Sequence, residues 1–367
     1  MKIAYISSSV IPSQTANSVH VMKMCQAFMR NKHQVTLFAQ TRDSFRTDDD
    51  HAYYGVEEGF RILKVNRYRI KGHRYITAFK SALRLKKHKP DLVYGRSISG
   101  CLFSSWMGIK TIVELHQPPE EVNGLDKFFF NKLIRAKDLC RIIVISEALK
   151  KKIGKGYPLT NGKLYVAHDG ADMSEKIEPH KFNNEKINVG YIGGLQAGKG
   201  MELIEQLVGY CSWACFHIVG GTEKDVKYWK DKLKDHKNTI FYGYLPPYLS
   251  ERYRVSFDIL LAPYQLEVFG TTGRTNISPW MSPLKIFEYM AAKKPIICSR
   301  LPVLEEVLKH NDNSILCEPD DPEEWIAALE KIRHDPDLAR RIAENAFEDL
   351  KERYTWKKRA ENVLCHL

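Results

Sequence analysis

Short apolar runs alternate with longer amphipathic segments along most of the 367-residue chain. In the first half, runs rich in β-branched and aromatic residues predict strands at 2–7, 34–39, 61–65, 92–94, 111–115, 141–145 and 163–167. Amphipathic stretches such as 19–31 and 75–87 lie between them and predict helices. This alternation is typical of parallel sheets wrapped by helices.

The alternation begins again near residue 186. It predicts strands at 188–192, 215–219, 239–242, 259–262, 295–298 and 314–317. The stretch 169–184 is polar and contains Pro179, as expected of an interdomain linker. We therefore predict an α/β protein with two Rossmann-like domains, one over residues 1–172 and one over 173–354. Because such sheets bind ligands at the carboxyl ends of their strands, the loops of the two domains are expected to face each other across a cleft.

Composition is ordinary for a globular protein, with 44% hydrophobic and 27% charged residues. No apolar run approaches the roughly 20 residues that a membrane-spanning helix needs, and the N-terminus has the pattern of a strand and not of a signal peptide. The eight cysteines include no C-x-x-C pair, and Cys211 and Cys215 fit buried thiols better than metal ligands. Scattered cysteines indicate a reducing, cytoplasmic compartment.

The net charge of +12 is unevenly distributed: residues 1–172 carry +14 and the rest carry −2. A basic first half predicts an anionic partner. Residues 67–89 hold nine Lys/Arg interleaved with aromatic and aliphatic residues. This segment fits a membrane-surface helix or, alternatively, a helix whose apolar stripe packs on the sheet while its lysines are solvated. Helix-turn-helix, zinc and RNA-binding patterns are missing, which disfavours a nucleic-acid partner.

The segment from Gly193 to Gly200 nearly matches a phosphate-binding loop, but Gly200 stands where a magnesium-binding hydroxyl is required. A nucleoside triphosphatase is therefore disfavoured. Glycines such as Gly194 still allow a phosphate to approach the backbone, and Lys199 supplies a positive charge. A flexible turn with a solvated lysine remains the alternative.

Residues 282–297 predict a helix followed by a strand. Ser282 and Pro283 resemble an N-cap and first-turn pair, which would present the free amides of the following residues to a diphosphate. Lys285 and Glu288 are three residues apart and share one face of this helix, where a surface salt bridge is the alternative interpretation.

This segment resembles the sequence pattern of the GT-B glycosyltransferases of family 4. The resemblance implies that Ser282, Pro283, Leu284 and Lys285 adjoin the donor diphosphate and that Glu288 binds the ribose hydroxyls. It extends over nearly the whole chain: residues 1–30 resemble the opening strand, loop and helix, 144–147 and 166–172 the hinge-side elements, and 355–367 a C-terminal helix that returns to the first domain.

The resemblance also implies roles for residues at other strand ends. His116, with Arg96, would position the donor sugar near its anomeric carbon, and Lys199 would stabilise the leaving diphosphate. Asn17 and Ser18 lie in the loop that approaches the donor, and Tyr244 marks a backbone contact to the base. The sequence favours His20, His168 and Asp169 as structural or hinge residues.

The chain departs from the family pattern at two positions. Trp280 stands where a second Glu is frequent, and Gly193-Gly194-Leu195 lacks an Arg before the phosphate-binding Lys. Lys285 or Arg274 is a candidate replacement for that cation. No metal site is expected, because Asp48-Asp49-Asp50 has the pattern of a solvated charge run.

These patterns predict a hexose-transferring, retaining glycosyltransferase that uses a UDP- or GDP-sugar as co-substrate and requires no metal or other cofactor. The expected acceptor is a glycan or a lipid-linked glycan of the cell envelope. The expected location is the cytoplasm, with peripheral contact to the inner face of the plasma membrane. A non-catalytic basic binding module, a degenerate donor-binding subunit and a nucleotide-sugar epimerase remain as alternatives.

Overall fold

The computed structural model describes residues 1–42, 47–66, 70, 72–173, 177–270 and 275–365. The chain divides into two compact units. The first comprises Met1–Asp169 with Trp356–Leu367, and the second comprises Gly170–Thr355. The sequence analysis places these boundaries at 172/173 and 354/355.

Parallel strands form the core of the first unit. They are β1 (Lys2–Val10), β2 (Gln34–Thr41), β3 (Arg61–Asn66), β4 (Leu92–Gly95), β5 (Thr111–Leu115), β6 (Leu139–Val144) and β7 (Leu164–Val166). In the described residues they make a seven-stranded sheet in the order β3-β2-β1-β4-β5-β6-β7. All residues of β4 and β5 are buried, as expected when helices cover both faces of a parallel sheet.

The helices of this unit follow the strands in alternation. They are α1 (Ala16–Arg30), α2 (Asp50–Tyr54), α3 (His73–His88), α4 (Ile98–Trp106), α5 (Pro119–Val122), α6 (Gly124–Leu133) and α7 (Glu147–Gly156). Asp49 caps α2 through its Oδ1, which accepts from the amide of His51 at 2.7 Å. Asp50 pairs with Lys64 at 2.6 Å. Two of the three acids of the run 48–50 therefore have local structural partners.

The second unit repeats the plan with β8 (Ile187–Ile192), β9 (Ala214–Val219), β10 (Thr239–Gly243), β11 (Ile259–Ala262), β12 (Ile296–Ser299) and β13 (Ile315–Cys317). Its described strands form a six-stranded parallel sheet in the order β10-β9-β8-β11-β12-β13. Gly190 in β8 lies against the ring of Phe257. A Cβ at this position would come within 1.9 Å of that ring, so only glycine fits.

The helices of the second unit are α8 (Met201–Tyr210), α9 (Glu223–Lys232), α10 (Pro247–Arg254), α11 (Leu284–Ala291), α12 (Pro322–His334) and α13 (Pro336–Asp349). A π-helical turn at Leu350–Tyr354 follows them. The last helix, α14 (Trp356–Leu364), belongs to the first unit, where it packs against α1. The resemblance stated above predicts this return.

Every strand predicted from the sequence is present, and both sheets are doubly wound. In the first sheet, the strand order reverses between β1 and β4, because β2 lies on the other side of β1. In the second sheet, the order reverses between β8 and β11. Ligands of such sheets bind beside the carboxyl ends of the strands at these two switch points.

Candidate active site

The candidate residues fall into two groups, one in each unit, and all of them lie beyond the carboxyl end of a strand or at the start of a helix. The group in the second unit is Gly194, Lys199, Tyr244, Ser282, Pro283, Leu284, Lys285 and Glu288. The group in the first unit is Asn17, Ser18, Arg96 and His116. Arg274 lies outside the described residues.

A glycine-rich turn connects β8 to α8 at the switch point of the second sheet. Gly198 and Gly200 have φ of 81° and 97°, a left-handed conformation that favours glycine. A Cβ on Gly198 would lie 2.0 Å from the carbonyl oxygen of Glu267, and one on Gly200 would lie 2.0 Å from that of Pro263. The backbone on both sides therefore requires glycine here, and the turn places Lys199 directly before α8.

Two lysines converge beside this turn, and we call Gly193, Gly194, Lys199 and Lys285 the phosphate-site cluster. The ammonium nitrogens of Lys199 and Lys285 lie 5.6 Å and 5.0 Å from the centre of the Tyr264 ring. Lys285 Nζ also lies 3.9 Å from the centre of the Tyr191 ring. The electron-rich face of an aromatic ring attracts a cation.

Two partly buried ammonium groups lie close together in this cluster, an arrangement that favours the binding of an anion. Burial lowers the pKa of Lys199 to about 8. Burial and the charge of Lys199 hold the pKa of Lys285 well below its ordinary value. Lys285 Nζ is buried and has no hydrogen-bond partner in the described parts of the chain. A bound anion would give this nitrogen a hydrogen-bond partner and favour its charged form.

The start of α11 differs from the prediction by one residue. Pro283, and not Ser282, is the N-cap, with φ −74° and ψ 125°, and no side chain caps the helix. The predicted Ser282 cap is therefore wrong, because the helical conformation begins only at Leu284. The amides of Leu284 and Lys285 precede the first helical hydrogen bond, which the amide of Ile286 donates to the carbonyl of Pro283, so they can serve a ligand.

Glu288 follows one turn later and has a partner that the sequence analysis did not identify. Arg254 Nη2, at the end of α10, lies 3.1 Å from Glu288 Oε2. Arg254 is buried, whereas the Glu288 side chain retains 27% of its exposure. Arg254 thus pairs with Oε2 of the Glu288 carboxylate, and Oε1 can still accept hydrogen bonds.

Tyr244 directly follows β10. Gly243, the last residue of that strand, has φ of 70°, and its carbonyl accepts from the amide of Gly220 at 2.7 Å. This hydrogen bond joins the carboxyl ends of β9 and β10. Tyr244 therefore leaves the same edge of the sheet from which the glycine turn departs.

In the first unit, the candidate His116 belongs to a buried group that we call the histidine–carboxylate cluster: His20, Tyr94, Glu114, His116, Asp169 and Arg359. His116 Nε2 lies 2.5 Å from Glu114 Oε1. His20 lies between two carboxylates, with Nε2 2.8 Å from Glu114 and Nδ1 2.9 Å from Asp169. The His20 and His116 rings meet edge to face at 4.8 Å.

Arg359 from α14 completes this cluster. Its Nη2 lies 3.1 Å from Glu114 Oε1 and donates at 3.1 Å to the carbonyl of Ala167, while its Nε donates to the carbonyl of His168 at 2.8 Å. The Tyr94 hydroxyl donates to Glu114 Oε2. The sequence analysis named neither Glu114 nor Arg359 as a functional candidate.

These contacts set the charges of the cluster. Burial alone would raise the pKa of Glu114, but the charges of Arg359 and His20 hold it well below its usual range. Burial and the nearby charge of Arg96 lower the pKa of His116 to about 4. His116 is therefore neutral at physiological pH beside an ionised Glu114.

The remaining candidates of the first unit lie in the loops after β1 and β4. Arg96 follows β4, and its amide donates to the carbonyl of Ile6 at 3.1 Å. Asn17 has a buried Oδ1 without a hydrogen-bond partner in the described chain. The Ser18 hydroxyl is buried and donates to the carbonyls of Ser13 and Thr15 at 2.9 and 2.7 Å. The Asn17 side chain can therefore accept a hydrogen bond from a ligand, whereas the Ser18 side chain stabilises the loop that precedes α1.

His20, Glu114, His116 and Asp169 could in principle hold a metal ion, since their ligand atoms lie within 4.8 Å of one another. The residues present do not fit one, however. The Arg359 guanidinium already lies 3.1 Å from the Glu114 oxygen that a cation would bind, and His20 already contacts both carboxylates. A divalent cation here would meet a buried positive charge.

Two sequence-family models match successive parts of the chain. The model described as "Glycosyltransferase Family 4" matches residues 18–175, and the one described as "Glycosyl transferases group 1" matches residues 186–335. Together they cover most of the chain and divide it where the two sheets divide. This chain belongs to the family 4-like GT-B glycosyltransferases.

Solved structures share the GT-B fold of this glycosyltransferase. A glycosyltransferase from Rickettsia africae has a TM-score of 0.74 and 15% identity, with 99% of this chain and 97% of that chain covered. HepE from Anabaena, solved in complex with UDP and glucose, has a TM-score of 0.70 and 16% identity, with 99% and 98% covered.

Two curated relatives match parts of this GT-B glycosyltransferase. An uncharacterised glycosyltransferase of Methanocaldococcus jannaschii is 24% identical over 252 residues, which is 61% of this chain and 59% of the relative. TuaH of Bacillus subtilis, a proposed teichuronic acid biosynthesis glycosyltransferase, is 26% identical over 220 residues, 56% of this chain and 52% of the relative. The chain thus spans little more than half the length of these relatives.

None of the helices in the described ranges of this glycosyltransferase is long and apolar enough to cross a bilayer.

Proposed function

We propose that this glycosyltransferase transfers a hexose from a UDP- or GDP-sugar to a glycan or lipid-linked acceptor, with retention of anomeric configuration and without a metal ion. The observation that carries the proposal is the buried ammonium of Lys285, which lies beside the glycine turn and Lys199 and has no hydrogen-bond partner among the described residues. Two cations with lowered pKa values and two helix N-termini suit the diphosphate that such donors carry.

The same groups supply the chemistry of the leaving group. Negative charge develops on the diphosphate as the glycosidic bond breaks, and Lys199, Lys285 and the amides at the start of α11 stabilise it without reorganising. Positive charge from these two lysines performs the role that a divalent ion has in other transferases. The solved complex of HepE with UDP and glucose supports a uridine nucleotide as the first donor to test.

Retention is the outcome that the resemblance to family 4 implies. Glu114 and Asp169 are buried and engaged with Arg359 and His20, which disfavours attack by either carboxylate on the anomeric carbon. The acceptor then attacks on the face that the diphosphate leaves, and a diphosphate oxygen receives the acceptor's proton. His116 and Arg96 position the sugar, and Glu288 binds the ribose.

Binding of nucleoside diphosphates tests the donor site. A ligand at 100 times its dissociation constant stabilises a protein by about 2.7 kcal/mol, which thermal unfolding detects readily. We expect UDP or GDP to stabilise the protein equally in magnesium and in EDTA, and Glu288→Ala to reduce the effect. Metal-dependent binding would contradict the proposed chemistry, and no stabilisation by any nucleotide would favour a non-catalytic binding module.

Product analysis separates the remaining alternatives. A transferase releases free UDP or GDP and a glycosylated acceptor whose anomeric proton reports retention or inversion. An epimerase would return a sugar that is still attached to the nucleotide, and a degenerate donor-binding subunit would bind the nucleotide without turnover.

A membrane surface is the proposed site of action, and it is supported by an apolar surface on the basic first unit. Helix α3 buries Ala78, Ala82 and Leu85 and exposes Ile76, Phe79 and Leu83. We define the aromatic ridge as the exposed residues of α3, α4 and α6: Ile76, Phe79, Leu83, Trp106, Leu125 and Phe128. The alternative interpretation, in which the apolar stripe of this segment packs on the sheet, therefore does not hold for Phe79 and Leu83.

Ring contacts make the ridge continuous across three helices. Phe103 contacts Phe79, Trp106 and Phe129 at centroid distances of 5.5, 6.0 and 5.9 Å, and Phe129 contacts Phe128 at 5.7 Å. Exposed basic residues accompany the ridge on these helices: Lys80, Arg84, Lys86, Lys87, Lys127 and Lys132. Helix α3 contains no acidic residue. An apolar surface with a basic rim suits the interface of an anionic bilayer.

Vesicle binding tests this part of the proposal. We expect the protein to sediment with phosphatidylglycerol-containing vesicles and much less with pure phosphatidylcholine, because each basic residue near an anionic surface contributes about 1 kcal/mol. Phe79→Ser with Phe128→Ser should reduce binding at least tenfold. Tyr228→Ser, an exposed aromatic on the second unit, is the matched control. Equal binding of both variants would refute the ridge as the membrane contact.

The free state of all eight cysteines, which lie in the described chain, supports a cytoplasmic location.

A further inference from the structure

The histidine–carboxylate cluster contains more chemistry than a single sugar-positioning histidine needs. Glu114 and Arg359 are only 1% and 2% exposed, and the two are 245 positions apart in the chain. Glu114 receives Tyr94, His20, His116 and Arg359 on its two oxygens. Such a saturated carboxylate is costly to bury, and it touches the one candidate catalytic histidine.

The geometry determines which ring nitrogen of His116 carries hydrogen. An ionised carboxylate only accepts hydrogen bonds, so the 2.5 Å contact between Glu114 Oε1 and His116 Nε2 requires the hydrogen on Nε2. In a neutral imidazole the other nitrogen, Nδ1, is then an acceptor. The carboxylate thereby fixes both the tautomer and the orientation of the ring.

Arg359 keeps this carboxylate in place. Its guanidinium contacts Glu114 through Nη2 at 3.1 Å and through Nη1 at 3.4 Å, and it is itself anchored to the carbonyls of Ala167 and His168. Trp356, from the same helix, lies edge to face against His20 at 5.1 Å. The C-terminal helix α14 therefore braces the strand end that presents His116.

We propose that Glu114 is a positioning residue that fixes His116 with hydrogen on Nε2 and a free Nδ1 acceptor for a hydroxyl of the donor sugar, and that Arg359 of α14 holds Glu114 in this arrangement. The proposal rests on the proposed function for the identity of the sugar ligand. The tautomer and its cause are properties of the free protein.

The direct test is the ¹⁵N spectrum of the full-length protein labelled at histidine, in which long-range couplings distinguish protonated from bare ring nitrogens. A His116→Asn variant identifies the His116 signals. At neutral pH we expect hydrogen on Nε2 and none on Nδ1. A population protonated on Nδ1, or an equal mixture, overturns the proposal without any measurement of activity.

A matched pair of variants then tests the cause. Glu114→Gln retains the shape of the side chain, but its amide can either donate or accept a hydrogen bond. We therefore expect a mixture of His116 tautomers. We also expect kcat to fall about 10–100-fold, as is usual when an orienting partner is lost. Asp126→Asn removes a buried carboxylate outside the cluster, one that pairs with Arg74, and it should leave the His116 spectrum unchanged. An unaltered tautomer and kcat in Glu114→Gln would refute the positioning role.

If Glu114→Gln does not fold, Arg359→Lys provides a second test of the same positioning role. This variant retains the charge but loses the two-nitrogen contact. We expect the Nε2-protonated form to persist with a smaller loss of kcat and no change in the dissociation constant for UDP, which the second unit binds. Wild-type kcat in this variant would refute the bracing role of α14. If no donor supports turnover, the spectra still decide the positioning claim, so its failure is distinguishable from failure of the proposed function.

Discussion

Arg254 and Glu288 form an ion pair in which the Arg254 guanidinium, at the end of α10, lies 3.1 Å from the carboxylate of Glu288 in α11. The pair joins α10, which follows β10, to α11, which begins at the phosphate-site cluster. Glu288 is therefore held in one orientation before any ligand arrives, which would reduce the entropy lost on binding of the proposed ribose.

Loss of Arg254 should weaken nucleotide binding through Glu288. We expect Arg254→Met to raise the dissociation constant for UDP or GDP about tenfold, equivalent to about 1.4 kcal/mol, in titration calorimetry. Arg252→Met is the control, since Arg252 lies on the same helix and pairs at 3.0 Å with Glu178, which is exposed. An exposed pair contributes about 0–1 kcal/mol. Equal effects of the two variants would mean that Arg254 does not act on the ligand site.

Removal of Lys285 should stabilise the ligand-free protein while impairing its binding. Lys285→Met eliminates a buried ammonium that lacks a partner in the described residues, and relief of such a group is expected to add about 1–3 kcal/mol to the free energy of unfolding. The stabilisation by UDP should fall at the same time. Thermal unfolding with and without UDP measures both effects. Lys293→Met, at an exposed ion pair, is the control, and a destabilised Lys285→Met protein would contradict the anion-site interpretation.

The affinity for UDP should decrease as the pH rises above about 8. The pKa of Lys199 is lowered to about 8 in the free protein, so its charge is present below that value and is lost above it. A bound diphosphate favours the charged form and raises this pKa, so binding at pH 8.5 should be accompanied by proton uptake. Calorimetry in buffers of different ionisation enthalpy measures the uptake. Lys199→Met should reduce it, and a constant affinity from pH 7 to pH 9.5 would exclude this role for Lys199.

The same linkage predicts how the free protein responds to pH. Between the folded pKa of Lys199, about 8, and the unfolded value of about 10.4, the unfolded chain binds more protons than the folded one. Stability gains a contribution from Lys199 as the pH rises through this window, and the contribution is absent below it. Chemical denaturation at pH 7.5 and 9.5 measures this gain in the free energy of unfolding for the wild type, and the gain should be smaller in Lys199→Met.

Substitution of Gly200 should unfold the glycine turn. Gly200→Ala places a Cβ 2.0 Å from the Pro263 carbonyl at a φ of 97°, and a loss of more than about 2 kcal/mol is expected. Gly209→Ala is a contrasting control, because Gly209 lies near the end of α8 and a Cβ there has its nearest neighbour at 3.6 Å. The control should be neutral or gain up to about 1 kcal/mol. Denaturant unfolding of the two variants decides the matter.

The sequence alone determined the strand–helix alternation, the restart near residue 186 and the glycine turn that carries Lys199. These features are local: each depends on residues within one strand, turn or helix, and hydrophobic periodicity and glycine placement record them directly. The roles of Lys285, Glu288 and His116 follow from the family resemblance and stay predictions. Even the error at Ser282 amounts to one residue, because propensities describe an N-cap less sharply than the helix itself.

Only the tertiary structure decided what those residues contact. The two lysines share the Tyr264 ring, and the charge of Lys199 helps to lower the pKa of Lys285, because the switch point brings β8 and β11 side by side, which no single segment encodes. Arg254 reaches Glu288, and Arg359 reaches Glu114 across 245 positions, through packing of distant elements. Phe79 and Leu83 are exposed because the neighbours of α3 bury Ala78, Ala82 and Leu85 instead. Burial and partner choice depend on the whole fold, and these set the charge and orientation on which the proposed chemistry depends.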